Sequence, residues 1–151
     1  EISFGKQETG DFINPWSLAD RWVKDGRNIM DADWQDTTEY KGRTILNCYN
    51  SVSKNFDKWI AELGYKREGD YYRVTIRNND TVLLVSHGGS SSVVLAHIFN
   101  LPFSFVCRTI CPGFTAITEV SFNGAVGELT SPQFKLVNDN NHLKALYTDN
   151  K

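Results

Sequence analysis

The stretch Thr81-Val82-Leu83-Leu84-Val85-Ser86-His87-Gly88-Gly89 decides which fold the sequence predicts. Its first six residues are nearly all apolar or β-branched, which is typical of a strand buried on both faces of a parallel sheet. His87 and the two glycines end this run, and the residues after them predict a helix over residues 90–99. We therefore expect a buried parallel strand that leads through His87 into a helix.

Two further helices are predicted upstream of this stretch. Asn14 as N-cap and Pro15 in the first turn predict a helix that runs to about Lys24. Apolar residues at helical spacing predict a long amphipathic helix over residues 40–63, which Gly64 ends. Both helices have one apolar face, so each needs a core to pack against.

Three more runs rich in β-branched and aromatic residues predict strands at residues 71–76, 115–122 and 134–138. Asn123-Gly124 predicts a hairpin turn after the second of these strands. Together, the elements predict an α/β fold: a three-layer sandwich with a mostly parallel central sheet flanked by helices.

Composition bounds the class of protein. The chain has 151 residues, of which 40% are hydrophobic and 23% charged, as expected for one globular domain with a core. A net charge of −2 argues against a non-specific nucleic-acid binder, and no apolar run is long enough to span a bilayer. The three cysteines form no Cys-x-x-Cys pair, so we expect a cytoplasmic protein without a disulfide framework. Cys107 and Cys111 have no nearby histidine to complete a metal site, so no metal is expected.

Residues 87–89 form the corner between the predicted strand and the following helix, and this corner has the chemistry of a phosphate site. Ligands of open α/β sheets bind beyond the carboxyl ends of the strands. Gly88 lets the backbone approach a ligand closely, and a following helix offers free N–H groups at its positive end. His87 and Gly88 are therefore the candidate phosphate-binding residues. From these residues alone, a histidine that merely packs at the end of a strand is an equal alternative.

Three segments resemble the histidine phosphatases, the phosphoglycerate-mutase-like superfamily. The most specific is residues 82–89 with the following Leu95-Ala96-His97 and Leu101-Pro102, which resembles the family's second-histidine motif. Residues 1–8 resemble the segment around its proton-donor glutamate, and residues 138–143 resemble the asparagine-rich end of its last strand. The resemblance implies that residues 1–151 form a single phosphoglycerate-mutase-like domain, incomplete at its N-terminus and lacking its N-terminal strands.

The resemblance also implies phosphoryl transfer through a phosphohistidine, without cofactor or metal. His87 would stabilise the phosphoryl oxygens and Glu1 would protonate the leaving oxygen, which makes these two the candidate catalytic residues. Hydrolysis of a small phosphomonoester is the expected reaction, with mutase-type transfer as the alternative. The family's nucleophile lies in an Arg-His-Gly motif, and none of the three histidines here follows an arginine. We expect an upstream segment to carry that motif, and this chain to be inactive alone.

The sequence gives weaker signals for the substrate and the partners than for the phosphate site. In the family, the segment after the glutamate covers the pocket, which corresponds to about residues 4–38 here. Phe4 and Arg108 are the candidate substrate contacts, and a solvated Arg108 is the alternative. The cap also contains three tryptophans that either line the pocket or pack in the core: Trp16, Trp22 and Trp34. The expected partners are a small phosphorylated substrate and a second copy in a homodimer, with no nucleic acid and no membrane.

Two other classes of protein compete with this interpretation. His87-Gly88-Gly89-Ser90 is also similar to the oxyanion-hole loop of α/β-hydrolases, but the Gly-x-Ser-x-Gly nucleophile motif of that fold is absent from the sequence. A non-catalytic phosphate- or protein-binding relative of the phosphatases is the second alternative. The presence or absence of Arg-His-Gly in the encoded protein would separate it from an enzyme.

Overall fold

The computed structural model describes residues 14–143. Its helices are α1 (Pro15–Lys24), α2 (Thr44–Glu62), α3 (Gly88–Ile98) and a short α4 (Phe103–Phe105), which continues into a π-helical turn (Val106–Ile110). A 3-10 turn lies at Trp34–Asp36. The strands are β1 (Tyr65–Glu68), β2 (Tyr71–Val74), β3 (Ile117–Ser121), β4 (Leu129–Thr130) and β5 (Gln133–Asp139).

The strands form two small sheets, and every pair in them is antiparallel. One sheet has three strands in the order β1-β2-β4, and the other pairs β3 with β5. The predicted three-layer sandwich with a mostly parallel central sheet is therefore wrong. The described chain is a mixed arrangement of helices and two antiparallel sheets instead.

The prediction failed at residues 81–86, which form no regular element and pair with no other described strand. Leu83 and Val85 are 87% and 86% exposed, whereas the side chains between them, Val82 and Leu84, are about half exposed. A composition rich in apolar and β-branched residues indicates only that a segment would fit a pleated, half-buried surface. Whether a neighbouring strand is there to pair with it depends on residues far away along the chain.

The predicted helices are confirmed because their signals are local. The side chain of Asn14 accepts a hydrogen bond from Ser17 N at 2.7 Å, as an N-cap should. The long helix begins at Thr44 rather than at residue 40 and ends at Glu62. The histidine-glycine stretch opens α3 at Gly88, two residues earlier than predicted.

Asn123-Gly124 does not form the predicted hairpin. β3 pairs with β5, and the intervening chain crosses to the other sheet, where β4 pairs with β2. Gly124 has a positive φ of 141°, and a Cβ built on it would lie 3.2 Å from Cγ2 of Val74. The glycine is needed there because the crossing chain runs close against β2.

The core packs α1, α3 and α4 around a group of aromatic rings. Trp34 makes edge contacts with Tyr40 and Tyr49, whose ring centroids both lie 4.9 Å away. Phe103 closes the group, 5.4 Å from Tyr49, and Trp22 lies beside Tyr40. Trp22 and Trp34 are therefore core residues, and of the three tryptophans only Trp16 is left half-buried.

None of the helices in residues 14–143 combines the length and the apolar character that a bilayer crossing needs.

The exposure of residues 81–86 can be tested with one substitution at two positions. Leu83→Ala should change the free energy of unfolding by less than about 0.5 kcal/mol, because the side chain is already in water. Leu95→Ala, at a position only 6% exposed, should cost about 2–5 kcal/mol. Urea denaturation of both variants gives the two values. A cost for Leu83→Ala as large as that for Leu95→Ala would show that residues 81–86 are buried.

Candidate functional site

His87 occupies the N-cap position of α3 with its backbone extended, at φ −96° and ψ 155°. Its carbonyl oxygen accepts the helix's hydrogen bond from Ser91 N at 2.9 Å. The side chain is exposed and makes no capping bond, nor any hydrogen bond or ion pair with another described residue. The imidazole is thus available to a ligand at the start of the helix.

The first turn of α3 presents backbone donors beside this imidazole. The N–H groups of residues 88–90 precede the first intrahelical bond, and no described backbone carbonyl accepts from them. Such groups carry the positive end of the helix dipole and suit an anion. The corner can therefore offer an imidazole and several N–H donors to one anionic group.

Gly88 brings two other parts of the chain to this corner. A Cβ built on Gly88 would lie 3.7 Å from the carbonyl oxygen of Pro112 and 3.8 Å from Cζ2 of Trp16. The corner is therefore bordered by the first turn of α1 and by the loop that follows the π-helical turn. Trp16 is the one cap tryptophan that the structure places at the predicted site.

Burial of α3 fixes the position of its first turn. Residues on several sides of the helix are buried, so it is enclosed rather than laid on a surface: Ser92, Val93, Leu95, Ala96 and Ile98. Ser92 lies among apolar neighbours, and its hydroxyl donates to the Gly88 carbonyl at 2.7 Å. This bond satisfies the hydroxyl inside the core and ties it to the first turn.

Side chains hold the other end of α3. Arg67 donates from Nη1 to the His97 carbonyl at 3.0 Å and to the Tyr72 hydroxyl at 2.9 Å. A cation at the C-terminal end of a helix is favourable, because the free carbonyls there are negative. His97 Nε2 lies 2.8 Å from Oδ1 of Asp57. Burial raises the pKa of Tyr72 to about 12, although the neighbouring Arg67 partly offsets this effect.

The network of His97 is remote from His87. His97 lies ten positions after His87, about 15 Å along the helix at the usual rise per residue. A groove of about 1060 Å³ lies at the His97 end, along α2, and His87 does not line it. His97 is accordingly a structural partner of Asp57 on α2.

The other predicted site residues are not brought together at this corner. Arg108 lies in the π-helical turn, and its Nε is 3.0 Å from Oδ1 of Asp20 on α1. Both side chains are about half exposed, so this is a surface ion pair that joins two helices. Glu1 and Phe4 lie outside the described residues, and the structure does not place them.

Cys107 is not a candidate nucleophile. Cys107 is buried, and burial raises the pKa of its thiol well above the usual range, so it stays protonated. Among residues 14–143, no three histidine, cysteine, aspartate or glutamate side chains cluster closely enough to hold a metal ion.

Sequence reasoning missed what Asn138 does. Its side chain bonds to the loop beside Gly88, with Oδ1 accepting from Gly113 N at 2.8 Å. The segment of residues 138–143 had been noticed only as an asparagine-rich end to a strand. Its contact is formed across 25 residues, and no local spacing predicts it.

Comparison with known proteins finds no matching family model, no matching curated protein and no matching solved structure. The resemblance to the histidine phosphatases therefore stays a prediction.

The corner should bind inorganic phosphate in solution. In ¹H–¹⁵N spectra, phosphate should shift the amide signals of Gly88, Gly89 and Ser90 saturably. His87→Ala should weaken binding about tenfold or more, since a hydrogen bond to a charged group contributes about 1.5–3 kcal/mol. His97→Gln, at the far end of the helix, is the control and should leave the affinity unchanged. Equal affinities for the wild type and His87→Ala would show that the imidazole does not face the anion.

Proposed function

We propose that this chain carries part of a phosphoryl-transfer site and that the reaction is hydrolysis of a small phosphomonoester through a phosphohistidine. The observation that carries the proposal is the exposed His87, whose imidazole has no partner among the described residues, next to first-turn N–H groups of α3 from which no described backbone carbonyl accepts. The segments similar to the histidine phosphatases support phosphoryl transfer as the class of reaction. A phosphate group is the ligand that suits these donors best.

His87 would act on the phosphoryl oxygens. Phosphoryl transfer proceeds through a loose transition state whose charge is spread over three equatorial oxygens. Donors that are already in place stabilise this charge without reorganising during the reaction. The buried helix fixes the first-turn amides and the backbone of His87, so the amides meet this requirement.

The reaction would take two steps. In the first, a histidine nitrogen attacks phosphorus, the bond from phosphorus to the substrate oxygen breaks, and Glu1 gives its proton to that leaving oxygen. In the second, a water oxygen bonds to phosphorus as the bond from phosphorus to the histidine nitrogen breaks, a proton of that water returns to Glu1, and inorganic phosphate leaves. The sequence contains no Arg-His-Gly, so the proposal assigns the nucleophile to none of its three histidines.

Removal of the His87 side chain should affect turnover more than binding. With p-nitrophenyl phosphate and the protein as encoded, His87→Ala should lower kcat about 100-fold or more, a larger effect than the roughly tenfold rise expected in KM. The reason is that the imidazole would contribute most when charge develops in the transition state. His97→Gln serves as the matched control. Near-normal turnover of His87→Ala would contradict the assigned role.

Glu1 separates a phosphatase from a phosphate-binding module. Glu1→Gln should slow hydrolysis of alkyl phosphates strongly but barely affect p-nitrophenyl phosphate, whose leaving group departs without a proton. Parallel kcat measurements on the two substrates decide the point. Equal losses on both would exclude Glu1 as the acid, and phosphate binding without turnover in the wild type would favour a binding module.

A further inference from the structure

Asn138 uses both ends of its side-chain amide to hold one loop. Nδ2 donates to the carbonyls of Ile110 and Cys111, at 3.1 and 3.3 Å, and Oδ1 accepts from Gly113 N at 2.8 Å. These three bonds span the chain from the end of the π-helical turn to the loop that follows it. One side chain thus sets the path of residues 110–113.

The backbone of β5 is distorted where Asn138 lies. The register with β3 shifts so that Val137 and Asn138 together face Thr118, because the neighbouring pairs are Ile117 with Asp139 and Glu119 with Leu136. A bulge of this kind turns a side chain out of its regular direction. Asn138 also has a positive φ of 50°, which costs energy for a residue other than glycine but is tolerated best by asparagine and aspartate.

Further contacts keep this distortion in place. Asn138 N donates to the hydroxyl of Thr118 at 3.1 Å, so the bulged backbone is bonded to the facing strand. Cys111, whose carbonyl Asn138 holds, also has a positive φ, of 45°. Two residues in uncommon conformations are therefore joined by one hydrogen bond.

The loop held by Asn138 is the one that borders the candidate phosphate corner. Pro112 lies between the residues that Asn138 bonds, and its carbonyl oxygen faces Gly88. Gly88 has no side chain that could keep Pro112 away from α3. The distance between the Pro112 carbonyl and the first turn of α3 is therefore set by the hydrogen bonds that hold the loop.

We propose that Asn138 is a positioning residue for phosphate binding at His87 and Gly88. It would not touch the anion but would hold Pro112 in place beside the first turn of α3. This inference rests on the proposed phosphate site and adds to it a residue on a distant strand.

Two substitutions at Asn138 remove its bonds in different ways. Asn138→Gly deletes all three bonds and adopts the positive φ without strain. Asn138→Asp keeps the acceptor for Gly113 N but turns a carboxylate oxygen toward the two carbonyls, which repels them. Asn123→Gly is the matched control, since Asn123 follows β3 at the other end of the same sheet and makes only long contacts of 3.4 and 3.5 Å.

Inorganic phosphate is the probe, and its Kd is measured from the amide signals of Gly88, Gly89 and Ser90. Both Asn138 variants should bind phosphate about tenfold more weakly, and Asn123→Gly should bind it as the wild type does. The Gly88 signal should also move in the Asn138 variants before phosphate is added. Unchanged far-UV circular dichroism shows that a variant is folded. If Asn138→Gly does not fold, the Kd of Asn138→Asp tests the positioning role.

The outcomes separate the two proposals. A folded Asn138 variant with the wild-type Kd would overturn the positioning role and leave the phosphate site standing. A wild type that shows no saturable shift with phosphate would overturn the phosphate site, and the positioning role with it.

Discussion

Burial of α3 is the constraint on which the rest of the molecule depends. The helix is enclosed on several sides by the core, and Arg67 on β1 caps its final turn at the His97 carbonyl. A helix held in this way cannot shift without exposing apolar surface, at roughly 25 cal/mol for each Å². His87 takes its position from that burial, because it directly precedes the first helical residue.

The two ends of α3 differ in a way that bears on function. The C-terminal carbonyls are met by a cation and a network of hydrogen bonds that reaches Asp57 on α2. The N-terminal amides have no such partner in the described chain, although α1 has a side-chain cap at Asn14. A fixed helix whose C-terminal carbonyls are bonded, and whose N-terminal amides have no such partner in the described chain, is well suited to bind an anionic ligand at its N-terminus.

The sequence predicts the helices well and the sheets poorly, for a physical reason. Asn14, the apolar spacing of α2 and the glycines at the start of α3 act within a few residues, so each signal can be recognised in the sequence. Residues 81–86 have the composition of a strand, but strand pairing depends on distant residues, and the apolar side chains of residues 82–85 are half to almost fully exposed. The same limit hid the contact of Asn138, whereas the assignment of His87 rests on a local motif and stays a prediction.

Amide hydrogen exchange tests most directly whether the buried helix, rather than a paired strand, holds this corner. The account predicts slow exchange for Val93, Leu95 and Ala96 in the middle of α3. It predicts exchange close to the unprotected rate for residues 82–85, which donate no backbone hydrogen bond to another described residue. Protection of residues 82–85 comparable to that of α3 would contradict the account, because it would mean that the segment preceding His87 is itself paired.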